Sequence, residues 1–95
     1  MSTKINVRVL FRMGGGGHEL EMMEKAVELF DMPPVGTYIK NLAPETITIA
    51  HYVLDCASGV ITAVCHDFTH WSLQDREEKM LAFAERGWKY SPRMP

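Results

Sequence analysis

Two runs of β-branched residues near the middle of the chain are separated by a short polar break. The first run follows Glu45, the second ends at His66, and Asp55 to Gly59 lie between them. β-branched side chains pack well on a pleated surface. An Asp can bond backbone amides downstream of itself, and a Gly takes the positive φ that closes a short loop. The pattern therefore predicts a β-hairpin over residues 45–66, around which we expect the rest of the chain to pack.

Counting outward from the loop gives the register of this hairpin, with Asp55 facing Val60 and His51 facing Val64. Side chains alternate between the two faces of a strand. One face then carries Ala50, Tyr52, Leu54, Ile61, Ala63 and Cys65, and the other carries Ile49, His51, Val53, Thr62, Val64 and His66. Both faces are substantially apolar, so we expect a helix to cover one and further protein to cover the other. A register slip of one residue would exchange the two faces.

The N-terminal segment also alternates. A strand over about residues 4–12 has one apolar face, formed by Ile5, Val7, Val9 and Phe11. The glycines at 14–17 end it, because consecutive glycines disfavour any regular element. Residues 18–32 fit two structures. Their apolar positions recur at helical spacing, but the prolines at 33 and 34 equally suit a strand that runs into a bend.

The C-terminal third predicts a helix over about residues 73–86. Ser72 and Asp75 form a capping-box-like start, since the hydroxyl accepts from an amide and the acid suits the helix N-terminus. Gly87 suits a left-handed C-terminal cap, and Trp88 stands where a Schellman motif places an apolar contact to Phe83. The expected fold is α+β: a small antiparallel sheet packed by this helix, in a single domain of residues 1–95.

Composition narrows the class of protein. Hydrophobic residues make up 46% of the chain and charged residues 23%, which is typical of a globular domain. The formal net charge of −2 gives no overall attraction to nucleic acid. Two cysteines do not make a disulfide framework, and neither a signal peptide nor a membrane-spanning run of about 20 apolar residues is present. We expect a cytoplasmic protein with no membrane partner and no cofactor.

The glycine-rich loop offers one candidate binding site. Backbone amides of Gly15 and Gly16 beside His18, together with the guanidinium groups of Arg8 and Arg12, suit a small anionic ligand. The loop is not a P-loop, because His18 and Glu19 stand where Lys and Ser or Thr are required.

The residues also allow three other functions to be considered. A metal module or metal-dependent enzyme would use His51, Cys65, His66 and His70, although the chain has neither a CxxC nor an HExxH pair. Nucleophilic catalysis by either cysteine lacks a recognisable motif around it, so we assign no catalytic residue. A nucleic-acid-binding regulator would use a basic strip, which is interrupted by acidic residues and is formed by Lys4, Arg8, Arg12 and Lys25.

The middle of the chain contains the run VELFDMPPVGTYI, which is followed by β-branched residues, then by Asp55, Ser58 and Gly59, and then by a second β-run. This pattern resembles that of small uncharacterised proteins of bacteria and their phages. Those proteins have a strand that ends in a PPxVG-like bend ahead of a β-meander. The resemblance covers residues 26–66, implies a strand at Ala26–Asp31, and implies no activity. Because both faces of the hairpin are apolar in a chain too short to cover both alone, we expect a small, non-enzymatic, homo-oligomeric binding protein that sequesters a partner protein or a small anionic ligand. The resemblance suggests a phage accessory or counter-defence protein.

Overall fold

A computed structural model describes residues 2–15 and 20–90 of the chain. These residues form seven strands and one helix. In chain order the elements are β1 (Thr3–Met13), β2 (Leu20–Leu29), β3 (Tyr38–Ile39), β4 (Ile47–Asp55), β5 (Val60–Cys65), β6 (Phe68–His70), α1 (Leu73–Glu85) and β7 (Lys89–Tyr90). The fold is α+β, as the sequence predicts.

The sheet is mixed, and the prediction of a small antiparallel sheet is wrong. Its strand order is β3-β4-β5-β1-β2-β7, and β6 also pairs with β1. β1 runs antiparallel to β2 but parallel to both β5 and β6. The parallel pairs arise because the chain leaves β2 at one side of β1 and returns as a β3-β4-β5 meander at the other side. Hydrophobic alternation shows that a strand has a buried face but carries no information on its direction.

Residues 20–29 are a strand, so the alternative of a helix over residues 18–32 is wrong within the described residues. β2 pairs with β1 along its whole length, from Leu20 opposite Arg12 to Leu29 opposite Thr3. This pairing places Met23 in the core, and Val27 packs against the core. Good helix formers thus occupy a strand, because an extended pairing with a buried neighbour outweighs a local propensity of a few tenths of a kcal/mol per residue.

The core lies between one face of the sheet and α1. We call this face the inner face; on β1 it presents Ile5, Val7, Val9 and Phe11, all buried as predicted. Phe83 of α1 meets Phe11 edge to face, with 5.1 Å between ring centroids. The opposite face of the sheet, which we call the outer face, carries the half-buried residues Asn6, Arg8 and Leu10 on β1. α1 therefore covers one face of the sheet only.

The predicted helix caps are confirmed. The Ser72 side chain accepts a hydrogen bond from the amide of Asp75 at 3.2 Å. At the other end Gly87 has a φ of 90°. The Gly87 amide donates to Ala84 at 3.0 Å and the Trp88 amide donates to Phe83 at 3.3 Å, as in a Schellman motif. Trp88 is buried, and its ring packs on Phe83.

The predicted hairpin register is confirmed from His51 opposite Val64 to Asp55 opposite Val60. A bulge between Ile49 and His51 then changes the register, so that Ile49 faces Cys65. Because a bulge adds one residue to one strand, Ile49 joins the inner face and is fully buried. The expectation that Ile49 lies on the face of His51 and Val53 is therefore wrong, and that outer face is less apolar than the sequence suggested.

The sheet curls until its two ends approach each other on the inner face. Trp88, which leads into β7, donates from Nε1 to the Leu42 carbonyl at 3.0 Å, and Arg86 donates to the Ala43 carbonyl at 3.2 Å. The segment that connects β2 to β3 crosses the open end, where the Tyr52 hydroxyl donates to the Pro33 carbonyl. No helix in the described part of the chain is both long and apolar enough to cross a bilayer.

Candidate ligand-binding groove

A groove of about 540 Å³ lies on the outer face, where β1, β2 and the β4–β5 hairpin meet. β1 is the central strand, and the outward-facing residues of its neighbours converge on it. The groove, which we call the outer groove, is lined by Asn6, Arg8, Glu24, Val53, Asp55, Ser58, Val60 and Thr62. Six of these eight side chains are polar or charged, so the groove suits a polar ligand.

Arg8 is held in place at the β1–β2 edge of the groove. Arg8 and Glu24 are cross-strand partners, and the Arg8 Nε donates to Glu24 Oε2 at 2.8 Å. The Asn6 amide donates to the same oxygen. The Arg8 side chain is 31% exposed, and its two terminal nitrogens have no hydrogen-bond partner among the described residues. A guanidinium fixed through Nε, with its terminal nitrogens free, is well placed to bind an anionic or carbonyl group.

The hairpin turn forms the opposite wall. Asp55 accepts a hydrogen bond from the Ala57 amide at 2.9 Å, and the Gly59 amide donates to the Asp55 carbonyl at 2.7 Å. The Ala57 amide, followed by the Ser58 hydroxyl, lowers the pKa of the Asp55 carboxyl below its ordinary value. Asp55 is therefore ionised at neutral pH and faces the groove as an acceptor. Gly59 has a φ of 73°, which confirms its predicted role in closing the loop.

The groove combines both signs of charge with an apolar strip. It contains one guanidinium, Arg8, and two carboxylates, Glu24 and Asp55, so its net formal charge is −1. Val53 and Val60 are 44% and 46% exposed and supply an apolar surface beside these groups. Such a groove favours a ligand that carries an anionic group together with hydrogen-bond donors, and does not favour a bare anion.

Arg12 and Gly15, the other described residues of the predicted anion site, do not line the outer groove. Arg12 is on the same face of β1, four residues farther along, at a distance of roughly 13 Å. It forms an ion pair with Asp67, with 2.8 Å between Arg12 Nη2 and Asp67 Oδ2. Gly15 follows the end of β1 with a φ of 79°. Gly16 and His18 lie outside the described residues. Among the described members of the predicted set, Arg8 alone lines the groove.

The four residues of the alternative metal site do not converge. Cys65 is buried on the inner face, opposite Ile49, whereas His51 and His66 are exposed. His70 is buried and stacks on Phe11 with 6.0 Å between ring centroids. Within residues 2–15 and 20–90, no three His, Cys, Asp or Glu side chains are grouped closely enough to hold a metal ion.

The two cysteines occupy different environments. Cys56 is exposed in the hairpin turn, and Cys65 is buried. Burial raises the pKa of the Cys65 thiol to about 11. Since the thiolate is the nucleophilic form, Cys65 is unreactive at neutral pH and serves as a small apolar side chain of the core.

Three of the basic side chains that the sequence predicts as a strip bind different groups within the protein. Arg8 and Arg12 each pair with a carboxylate, and the Lys25 ammonium donates to the Arg86 carbonyl. Salt-sensitive binding to nucleic acid depends on basic side chains that are free to neutralise phosphates. Arg12 and Lys25 are engaged within the protein, and Arg8 keeps only its two terminal nitrogens without a partner among the described residues, so of these three a single basic group is left rather than a strip.

Sequence reasoning identified Arg8 but missed its partners in the groove. Asn6, Glu24 and Thr62 come together only through the pairing of β1 with β2 and β5. Glu24 could have been found from the period-two pattern of residues 20–29: if Met23 faces the core, its neighbour Glu24 faces the opposite side of the sheet, where Arg8 lies. That pattern could be used only once those residues were known to form a strand.

The comparisons with known proteins give no relative for this fold or groove. No family model matches the chain, and neither a curated protein nor a solved structure matches it at a significant level.

Proposed function

We propose that this chain is a small, non-enzymatic binding protein that sequesters a small polar ligand in the outer groove. The ligand carries one anionic or carbonyl group, which binds the terminal nitrogens of Arg8, and donor groups that face Asp55. Val53 and Val60 contact its apolar part. The observation that carries the proposal is the fixed orientation of Arg8, which Glu24 holds from one side and whose two terminal nitrogens have no partner among residues 2–15 and 20–90, beside a cavity of about 540 Å³.

The proposal narrows the expected ligand. A site for a bare anion would gather several cationic groups or backbone amides. The outer groove instead balances one guanidinium against two carboxylates. An anion that lacks donor groups would leave Asp55 opposite a like charge. We therefore assign the groove to a ligand of mixed polarity and place its anionic end at Arg8.

The test is a titration followed by amide chemical shifts in two-dimensional NMR. Three probes separate the required features: a nucleoside monophosphate, which carries an anion, donors and an apolar ring; glutamine, which carries an anion and donors; and inorganic phosphate, which is an anion alone. We expect shifts at residues 6, 8, 53 and 60 with one of the first two probes and none with phosphate.

Arg8→Gln is the decisive variant, because it removes the guanidinium but keeps an uncharged polar side chain at the same position. Loss of one charge-assisted hydrogen-bonding group weakens binding by about 1.5–3 kcal/mol, or about 10- to 150-fold. Arg12→Gln is the matched control, since Arg12 is on the same strand and face but outside the groove. Equal effects of the two variants, or binding confined to phosphate, would exclude the outer groove as the site.

A further inference from the structure

One edge of the sheet is left open along β4. β3 and the residues just before it cover β4 only as far as Ile49, whose amide donates to Thr37 at 3.1 Å and whose carbonyl accepts from Gly36 at 2.8 Å. Beyond the bulge, residues 51–55 pair with β5 on one side. No strand among the described residues pairs with their other side. We call residues 51–55 the free edge.

The peptide groups that face outward along the free edge can be identified. The Asp55 carbonyl accepts from Gly59, within the hairpin, and the side to which peptide groups point alternates along an antiparallel strand. The N–H and C=O groups of Tyr52 and Leu54 therefore point away from β5. They form a short, unpaired template for another strand.

Residues 51–55 themselves contain neither a lysine nor a proline, and the segment before β3 meets them through the Tyr52 side chain, whose hydroxyl donates to the Pro33 carbonyl. Exposed edges are guarded by lysines, prolines or covering segments. The opposite end of the sheet has such guards: β7 covers Met23 and Glu24, and Lys25 reaches across to the Arg86 carbonyl. Along the free edge, Val53 and Leu54 are instead 44% and 60% exposed. An open backbone edge that carries exposed apolar side chains is a pairing surface.

We propose that a second copy of this chain occupies the free edge, in an antiparallel β4–β4 pair whose two-fold axis passes through Val53. This register places Tyr52 opposite Leu54 of the second copy, so that the outward peptide groups of both bond each other. It places Val53 opposite its own counterpart. It also centres the two free edges on each other: a shift toward the start of β4 would bring one copy against Ile49, whose edge is already bonded, and a shift the other way would bring Tyr52 against Cys56 in the hairpin turn.

The charges of His51 and Asp55 favour the same register of the β4–β4 pair. With the axis at Val53, His51 of each copy stands opposite Asp55 of the other, as a non-hydrogen-bonded pair whose side chains lie close together. An imidazole N–H donates to a carboxylate, and an imidazolium forms an ion pair with it. The two contacts are identical by symmetry, so the surface is complementary to itself, as a two-fold interface requires.

The dimer would also extend the outer groove. Val53 and Asp55 line that groove, and pairing across the free edge brings His51 of the second copy beside Asp55. Each copy then contributes a donor to the other copy's groove. The dimer does not depend on the proposed ligand, because the pairing involves backbone groups and the three side chains at positions 51, 53 and 55.

The test combines two charge variants. In His51→Asp, the introduced carboxylate faces Asp55 of the second copy; in Asp55→Lys, the ammonium faces His51. We expect each variant alone to dimerise about tenfold or more weakly than the wild type, since a like-charge or unpaired contact occurs twice per interface. Mixed together, the variants restore both contacts, with Asp at 51 opposite Lys at 55 and Asp55 opposite His51. Native mass spectrometry resolves this heterodimer by its mass.

Val53→Lys provides a second, independent variant, because it places two ammonium groups against each other on the axis. Leu81→Lys on α1 is its control: Leu81 is 61% exposed and lies outside β4. Circular dichroism confirms that each variant is folded. A heterodimer that forms on mixing, together with a monomeric Val53→Lys and a dimeric Leu81→Lys, supports the register. A wild type that is monomeric at 100 μM (about the upper end of reversible weak association), or variants that dimerise as the wild type does, overturns it.

Discussion

Replacement of Ile49 by Ala tests the β-bulge on which the structure of the hairpin depends. With regular alternation, Ile49 would lie on the outer face beside His51 and Val53, and truncation of a partly exposed side chain there would change stability by about 0.5 kcal/mol or less. With the bulge, Ile49 lies opposite Cys65 with 0% of its surface exposed. The two arrangements therefore predict very different free energies of unfolding.

The expected loss of unfolding free energy in Ile49→Ala follows from the complete burial of the Ile49 side chain. Ile→Ala at a fully buried position removes three carbon atoms from the core and leaves a cavity, which costs about 2–5 kcal/mol. Ile49 is among the largest fully buried side chains of the described residues, so we take about 3 kcal/mol as the expected loss. For a domain of this size, 1 kcal/mol lowers Tm by roughly 4–8 °C, which gives an expected fall of about 12–24 °C.

The assay is urea unfolding followed by far-ultraviolet circular dichroism, with thermal unfolding as a second measurement. Val60→Ala is the matched control, because Val60 is a β-branched residue of the same hairpin that lies on the outer face and is 46% exposed. We expect the control to lose about 0.5 kcal/mol or less. Similar losses for the two variants would refute the bulge and return Ile49 to the outer face.

Two further predictions concern single groups. Under native conditions at pH 8, iodoacetamide should alkylate Cys56 and leave Cys65 unmodified, because burial excludes the reagent from Cys65 and raises its pKa to about 11; intact-mass analysis showing two adducts before unfolding would contradict this. Ser72→Ala should lower the free energy of unfolding by about 1 kcal/mol through loss of the hydrogen bond to the Asp75 amide, whereas Ser72→Asp, which can still accept, should lose less; equal losses in urea unfolding would show that the cap does not stabilise α1.

Local signals were sufficient for the parts of the fold that depend on neighbours in sequence. The structure confirms the predicted helix caps at Ser72 and Gly87. It also confirms the predicted hairpin loop, which Asp55 and Gly59 close. Each of these uses a side chain or a backbone conformation that acts within a few residues. The buried face of β1 was equally clear, since period-two alternation is a property of the strand alone.

Signals that depend on distant pairing failed. Residues 20–29 are rich in Glu, Met, Ala and Leu, which favour a helix, and only their partner β1 makes them a strand. The parallel direction of β5 relative to β1 has no local signal either. Because the outer groove is assembled from three strands and a turn, Arg8 could be proposed as a binding residue but Glu24 could not be proposed as its partner.

The bulge at Ala50 links the main features of the molecule. By adding one residue to β4, it turns Ile49 into the core while leaving His51, Val53 and Asp55 together on the outer face. The same change of register coincides with the end of the cover that residues 36 and 37 give to β4, whose last bonds are made by Ile49.

A bulge commonly re-aims side chains at sites where a sheet edge is used. Here residues 51–55, which follow the bulge, have an unpaired backbone along the edge of the sheet, and their side chains on the outer face include Val53 and Asp55 of the outer groove. The part of β4 after the bulge therefore supplies both the free edge and the wall of the outer groove that faces Arg8, while Ile49 before the bulge packs in the core.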